Sequence, residues 1–299
     1  MFYNVIKKSL QLFVCVFIFI QFSSCKTDRT PIPNSLNTFG ADGGRTYILH
    51  VPPGYSKDSP VPLVVALHGY TSTAKNFEEW THISEKADEE DFIVIYPNGI
   101  AYPWNDANPQ AWNVGGPWEE WTRDTDDVGF IKGLIEMIGT YYSIDKNRIY
   151  ITGHSNGARM TYRLAWELSD IIAAVAPVAG ILVYDKGPGP TSPVSILHIH
   201  SKNDDTVPYD GQTLEGIRYP GAEAMLAYWA ELYGCSEEPA ISNINDTCEL
   251  RVWDCTDKGF ELQLFSPDDG RHMWHTVENS GIDATSLIWD FFEKHPKGK

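Results

Sequence analysis

Gly153-His154-Ser155-Asn156-Gly157 sets a serine between two glycines, a spacing that suits a very tight turn from a strand into a helix. A serine hydroxyl is a poor nucleophile until a base takes its proton, so the pattern matters only if an imidazole can reach it. With a carboxylate behind that imidazole, the chemistry is acyl transfer: attack on a carbonyl, a covalent acyl-enzyme, and release by water. The flanks fit the turn. Arg148 to Thr152 (RIYIT) reads as a strand and Asn156 to Leu168 as a helix. Side chains at 153 and 157 would collide with neighbouring backbone, hence glycine at both.

In a sheet carrying such a turn, the acid and then the base follow at the ends of later strands. Asp204 comes shortly after the apolar run VSILHIH (Val194 to His200), with Asp205 and Asp210 as competitors that spacing does not separate. Nine histidines are present. His50 and His198 fall within strands, His82 within a helix, His154 in the turn itself and His295 near the C-terminus. His272, in the loop between the last strand and the last helix, is the expected base, and His275 is its local rival. The developing oxyanion needs donors. The Asn156 backbone N–H is one candidate. The Tyr70 N–H, in the loop Leu67-His68-Gly69-Tyr70, is the other, with His68 ordering that loop.

These residues need a scaffold, and the pattern supplies one. Arg45 to Val51, Val61 to Leu67, Phe92 to Tyr96, Ile172 to Ala179 and Glu261 to Phe265 read as further strands. Ala74 to Ala87, Val128 to Tyr142, Ala222 to Tyr233 and Ile282 to Lys294 read as helices. Alternation of this kind implies an α/β architecture, a mostly parallel sheet with helices on both faces, in one domain over residues 40–299. The stretch 100–127 lacks periodicity and is the expected insertion over the site. Trp104, Trp112, Trp118 and Trp121 crowd it. Exposed indoles offer flat platforms for sugar or phenolic rings, so Trp104, Trp112 and Trp274 are the expected substrate-facing residues. The alternative for clustered tryptophans is a small satellite core.

The 299 residues carry a formal charge of −17 and no Lys/Arg patch, which disfavours nucleic acid and polyanionic substrates. Lys7 and Lys8, the apolar run Leu10 to Phe22 and the small Ser23 and Ser24 read as a signal peptide over residues 1–24, marking export. Cys25 directly after is the expected lipidation site, and residues 25–39 the lipoprotein tether. A lipid anchor would be the only membrane attachment. Cys235, Cys248 and Cys255 then remain, an odd number that implies one disulfide and one thiol. No metal-ligand spacing and no cofactor motif is present.

The chain resembles the secreted feruloyl esterase, acetyl xylan esterase and polyhydroxybutyrate depolymerase-like family of α/β-hydrolases, from about Gly44 to Pro296. The matching pieces are Arg45-Thr-Tyr, Pro62-Leu-Val-Val-Ala-Leu-His-Gly69, Asp126-Asp127-Val128-Gly129-Phe130, Asp145 to Ile151, the GHSNGA turn and His200-x-x-x-Asp204-x-x-Val207-Pro208-Tyr209. The resemblance implies the α/β-hydrolase fold, Ser155 as nucleophile, Asp204 rather than Asp205 as acid, and His272 as base. Arg271 and His275 stand where that family has Gly and Pro. It also implies a Cys235–Cys255 disulfide. The implied activity is that of a serine carboxylic ester hydrolase without metal or organic cofactor, removing feruloyl or acetyl groups from plant polysaccharide. Depolymerisation of a polyhydroxyalkanoate is the alternative, and a serine peptidase is more distant. From another class, a catalytically dead glycan-binding lipoprotein is opposed by the presence of all three triad residues.

Overall fold

The apolar run at Val61–Leu67 is a fully buried strand within the parallel part of the main sheet. A computed structural model describes residues 31–40, 44–102, 109–115, 122–181, 189–214, 216–255 and 258–298. Its main sheet has ten strands. They are β1 (Leu36–Thr38), β2 (Thr46–His50), β3 (Val61–Leu67), β4 (Ile93–Pro97), β7 (Ile144–His154), β8 (Ala174–Val178), β9 (Ser195–Ile199), β12 (Ala240–Asn245), β13 (Cys248–Trp253) and β14 (Leu262–Pro267). Two small hairpins stand apart: β5 (Ile100–Ala101) with β6 (Gln110–Ala111), and β10 (Gln212–Leu214) with β11 (Ile217–Tyr219). The sheet order is β1-β2-β4-β3-β7-β8-β9-β14-β13-β12, parallel from β4 through β14 and antiparallel at both edges.

Every residue of β3 is buried, as a strand covered on both faces requires. Leu63, Val65 and Leu67 pack into one core with α3 (Asp127–Tyr141), α4 (Asn156–Glu167) and α5 (Ala222–Tyr233). Val64 and Ala66 face the other core, with α1 (Ala74–Thr81), α2 (Ile83–Glu90) and α7 (Ala284–Lys294). A short α6 (Val277–Ser280) precedes α7. Among the described residues no helix is long and apolar enough to cross a membrane.

Three expectations change. The helix expected over Ala74 to Ala87 is two helices, because His82 takes the left-handed conformation (φ 54°) and turns the chain between them. The expected tether 25–39 is shorter: β1 pairs with β2, Asn34 exchanges side-chain bonds with the Val51 N–H and C=O, and the Tyr142 hydroxyl donates to Ile32 O. These contacts place Ile32 onward on the domain. The expected signal peptide and Cys25 lie outside the described residues. The third change is the β12–β13 hairpin, which extends the sheet beyond β14.

Cys235, after α5, is bonded to Cys255, after β13, across 20 residues of sequence, while Cys248 is a buried free thiol. A loop of that size is worth about 3 kcal/mol when closed. It ties the end of the edge hairpin to the end of α5.

Candidate active site

The elbow is built as its glycines demand. Ser155, between β7 and α4, has φ 55° and ψ −113°, a conformation that costs about 1–3 kcal/mol in a non-glycine residue. A Cβ on Gly153 would stand 2.6 Å from Gly157 O, and one on Gly157 would run into the Leu67 and His68 carbonyls. The turn is closed by Ser155 N–H donating to Val178 O at 2.9 Å.

Two loops from far along the chain complete the site. His272 Nε2 is 2.8 Å from Ser155 Oγ, placed to accept its proton. His272 Nδ1 is 2.8 Å from Asp204 Oδ2 and 3.1 Å from Oδ1. Asp204 Oδ1 also accepts from the Thr206 and Val207 amides at 2.9 and 2.8 Å. Burial alone would push the Asp204 carboxyl up, but hydrogen bonds from His200 and His272 outweigh it and hold the group well below the usual carboxylate range. The carboxylate therefore stays charged. Asp205 and Asp210 are exposed.

Beneath the site lies the loop after β3. A Cβ on Gly69 would come within 3.1 Å of His154 Nδ1, closer than ordinary contact, so glycine lets this loop lie tightly against the elbow. His68 is buried, donates from Nδ1 to Gly69 O at 2.8 Å and accepts the Gly99 N–H at Nε2, 2.9 Å. It orders the loop, as expected. Asn156 heads α4, where a backbone N–H has no acceptor within the helix. Its side chain accepts the Trp112 N–H at 2.8 Å.

The indoles differ from expectation. Trp112 is fully buried, donates Nε1–H to His68 O at 2.9 Å and lies under the Arg45 guanidinium. It is a wedge beneath the loop, and it presents no open face to a substrate. Trp274 is also buried, edge-on to Phe77 and bonded through Nε1–H to Thr285 Oγ1 at 3.0 Å, because α1 and α7 close over it. It lies at a separate cleft of about 450 Å³ lined by Trp80, Glu85, His275 and Asp283, and the triad is not part of that lining. Trp104, Trp118 and Trp121 lie outside the described residues. His275, the rival base in the sequence, is buried, and neither ring nitrogen has a hydrogen-bond partner among the described residues.

An ion pair that spacing did not reveal braces the insertion. Arg45, just before β2, pairs with the buried Asp127 of α3 and donates to Asn98 O at 2.8 Å. Asp127 also accepts the Asn113 N–H at 2.6 Å, next to Trp112. The only sequence signal was that both residues fall in the family-like motifs. Among the described residues no group of three or more His, Cys, Asp or Glu side chains is placed to hold a metal ion.

Buried imidazoles make stability depend on pH, since burial pushes His68, His154, His198 and His275 all below their ordinary value. Burial pushes His68 and His275 down to about 4 from an ordinary 6.5. The unfolded chain then binds protons that the folded chain refuses, so stability present above pH 6.5 is lost as pH falls toward 4. Each group contributes on the order of 3 kcal/mol. Urea midpoints should therefore drop between pH 7 and pH 4.5, and His275→Leu should flatten the drop. Parallel profiles for the two proteins would remove His275 from this explanation.

Comparison with known proteins agrees with the geometry. The family described as Esterase PHB depolymerase matches residues 45–238, which hold Arg45, the elbow and Asp204. Feruloyl esterase B of Piromyces equi is 30% identical over 259 residues, covering 84% of this chain and 45% of that protein. Poly(3-hydroxyalkanoate) depolymerase C of Paucimonas lemoignei is 32% identical over 257 residues, covering 82% of this chain and 56% of that one. The chain thus spans about half the length of these relatives. An acetyl xylan esterase from Aspergillus awamori superposes with a TM-score of 0.60 at 16% identity, over 84% of this chain and 94% of that chain, a likeness of fold. With a parallel-centred sheet, a strained serine elbow and a family match over most of its length, the chain belongs to the Esterase PHB depolymerase family and has the α/β-hydrolase fold.

Proposed function

We propose that the protein is an exported serine carboxylic ester hydrolase that works through an acyl-enzyme. The observation that carries this is the unbroken line Ser155 Oγ, His272 Nε2, His272 Nδ1, Asp204, with 2.8 Å at each contact. Ser155 attacks the ester carbonyl as His272 takes its proton. Asp204 holds the ring in the Nδ1–H tautomer and stabilises its charged form. The amides of Asn156 and Tyr70 receive the oxyanion, a contribution of about 2.7–4 kcal/mol per donor. His272 then passes the proton to the leaving alcohol and activates the water that frees the acid.

Feruloyl or acetyl groups on plant polysaccharide are the proposed substrates, supported by the similarity to feruloyl esterase B and the acetyl xylan esterase fold. The 32% identity to a poly(3-hydroxyalkanoate) depolymerase supports a second reading, hydrolysis of hydroxyalkanoate oligomers. A charge of −17 suits either neutral polymer. The signal-like N-terminus and the Cys235–Cys255 disulfide support export, and Cys25 is the proposed lipid attachment point. Measuring kcat/KM on methyl ferulate, acetylated xylan and hydroxybutyrate oligomers decides the substrate. A preference of tenfold or more for the ferulate or acetyl ester is expected. A preference for the oligomers would transfer the assignment to the second reading.

A further inference from the structure

His198 and His200 lie two residues apart on β9 and its continuation, so both rings project from the same side of the strand, toward α4. Neither ring is exposed. His200 Nε2 is 2.8 Å from Val207 O, and Asp204 Oδ2 lies 3.3 Å away, within reach of the same proton. His200 Nδ1 is 3.0 Å from His198 Nε2, and His198 Nδ1 is 2.7 Å from the hydroxyl of Tyr162 on α4.

The hydrogens in this series have one direction. A carbonyl and a carboxylate oxygen can only accept, so His200 Nε2 carries a proton and faces both. From the other end, the protonated Tyr162 hydroxyl donates to His198 Nδ1, so a neutral His198 carries its proton on Nε2 and donates it to His200 Nδ1. Burial pushes the His198 ring well below its ordinary value and the Tyr162 phenol well above its own, which keeps the first neutral and the second protonated. The series ends in the core at Tyr162, whose ring is fully buried against Trp229. With no exposed group at that end, it does not conduct protons to solvent.

Resting on the esterase reading above, we propose that Tyr162, His198 and His200 are positioning residues for the acid. Their one-way series of hydrogen bonds ties the Asp204–Val207 loop to β9 and sets an N–H against Asp204 Oδ2. Two backbone amides already hold Oδ1. With Oδ2 braced as well, the carboxylate plane cannot turn, and His272 meets an acceptor fixed in place. A small misplacement in such a site costs up to about 100-fold in rate. Turnover should therefore suffer, while substrate binding, which these buried groups do not touch, should not.

Steady-state kinetics on p-nitrophenyl acetate with full-length variants provides the test. His200→Phe, which keeps a ring and removes the donor, should lower kcat roughly 10- to 100-fold with KM within about twofold. His200→Gln, whose amide can donate from a similar position, should recover most of kcat. Tyr162→Phe removes one oxygen from the far end and should cost about two- to fivefold in kcat alone. A folded His200→Phe variant with wild-type kcat, or a Gln variant as poor as Phe, would overturn the proposal. If His200→Phe does not fold, unchanged kcat in Tyr162→Phe overturns it. Ser155→Ala in the same series separates the two levels: an active Ser155→Ala removes the esterase reading itself, whereas an inactive one beside unaffected His200 and Tyr162 variants removes only this inference.

Discussion

Ser155→Ala is expected to fold as the parent does and to lose ester turnover by about 10⁴-fold or more. The serine sits at an elbow whose shape is enforced by Gly153, Gly157 and the Ser155 N–H to Val178 O bond, none of which needs its hydroxyl. Alanine meets the same positive φ, so the thermal midpoint should move by only a few degrees. What is lost is the atom 2.8 Å from His272 Nε2. The residual rate would come from binding and the oxyanion donors alone. Circular dichroism melts beside kcat/KM on one soluble ester check both halves of the expectation.

His272→Ala should be nearly as damaging, because nucleophile and base act as one unit and their losses do not add. His275→Ala should behave differently. Its ring is buried against Gly270, where an added Cβ would come within 2.6 Å of His275 Nδ1, and no hydrogen bond links it to the triad. Removing it opens a cavity and should cost stability, about 2–4 kcal/mol by analogy with other large-to-small core changes. Any loss of rate should be much smaller than for His272→Ala. The reverse order of activities would mean that the loop after β14 presents a different imidazole to Ser155.

How much of this was legible in the residues depends on the range of the forces involved. The elbow could be read because its constraint is local: two glycines, one strand and one helix within a few positions. The parallel strands were legible because β3 and its neighbours are apolar on both faces. The β12–β13 hairpin was not, since β12 (AISNIN) is an edge strand with nearly every residue exposed and so shows no burial pattern. The break at His82 left no signal, as neither Gly nor Pro marks it. Tryptophans misled for a related reason. Whether an indole faces solvent or core is decided by distant partners, His68 for Trp112 and Thr285 for Trp274. His198 and His200 were visible as strand residues, but their meaning required Tyr162 from α4.

In the proposed mechanism Ser155 becomes covalently acylated with His272 as its base. Intact-mass analysis and peptide mapping after exposure to a fluorophosphonate probe test it most directly. One adduct is expected, on the peptide carrying Ser155, absent from Ser155→Ala and formed far more slowly by His272→Ala. Folded protein that hydrolyses esters while Ser155 stays unlabelled, or an adduct on another residue, would contradict it.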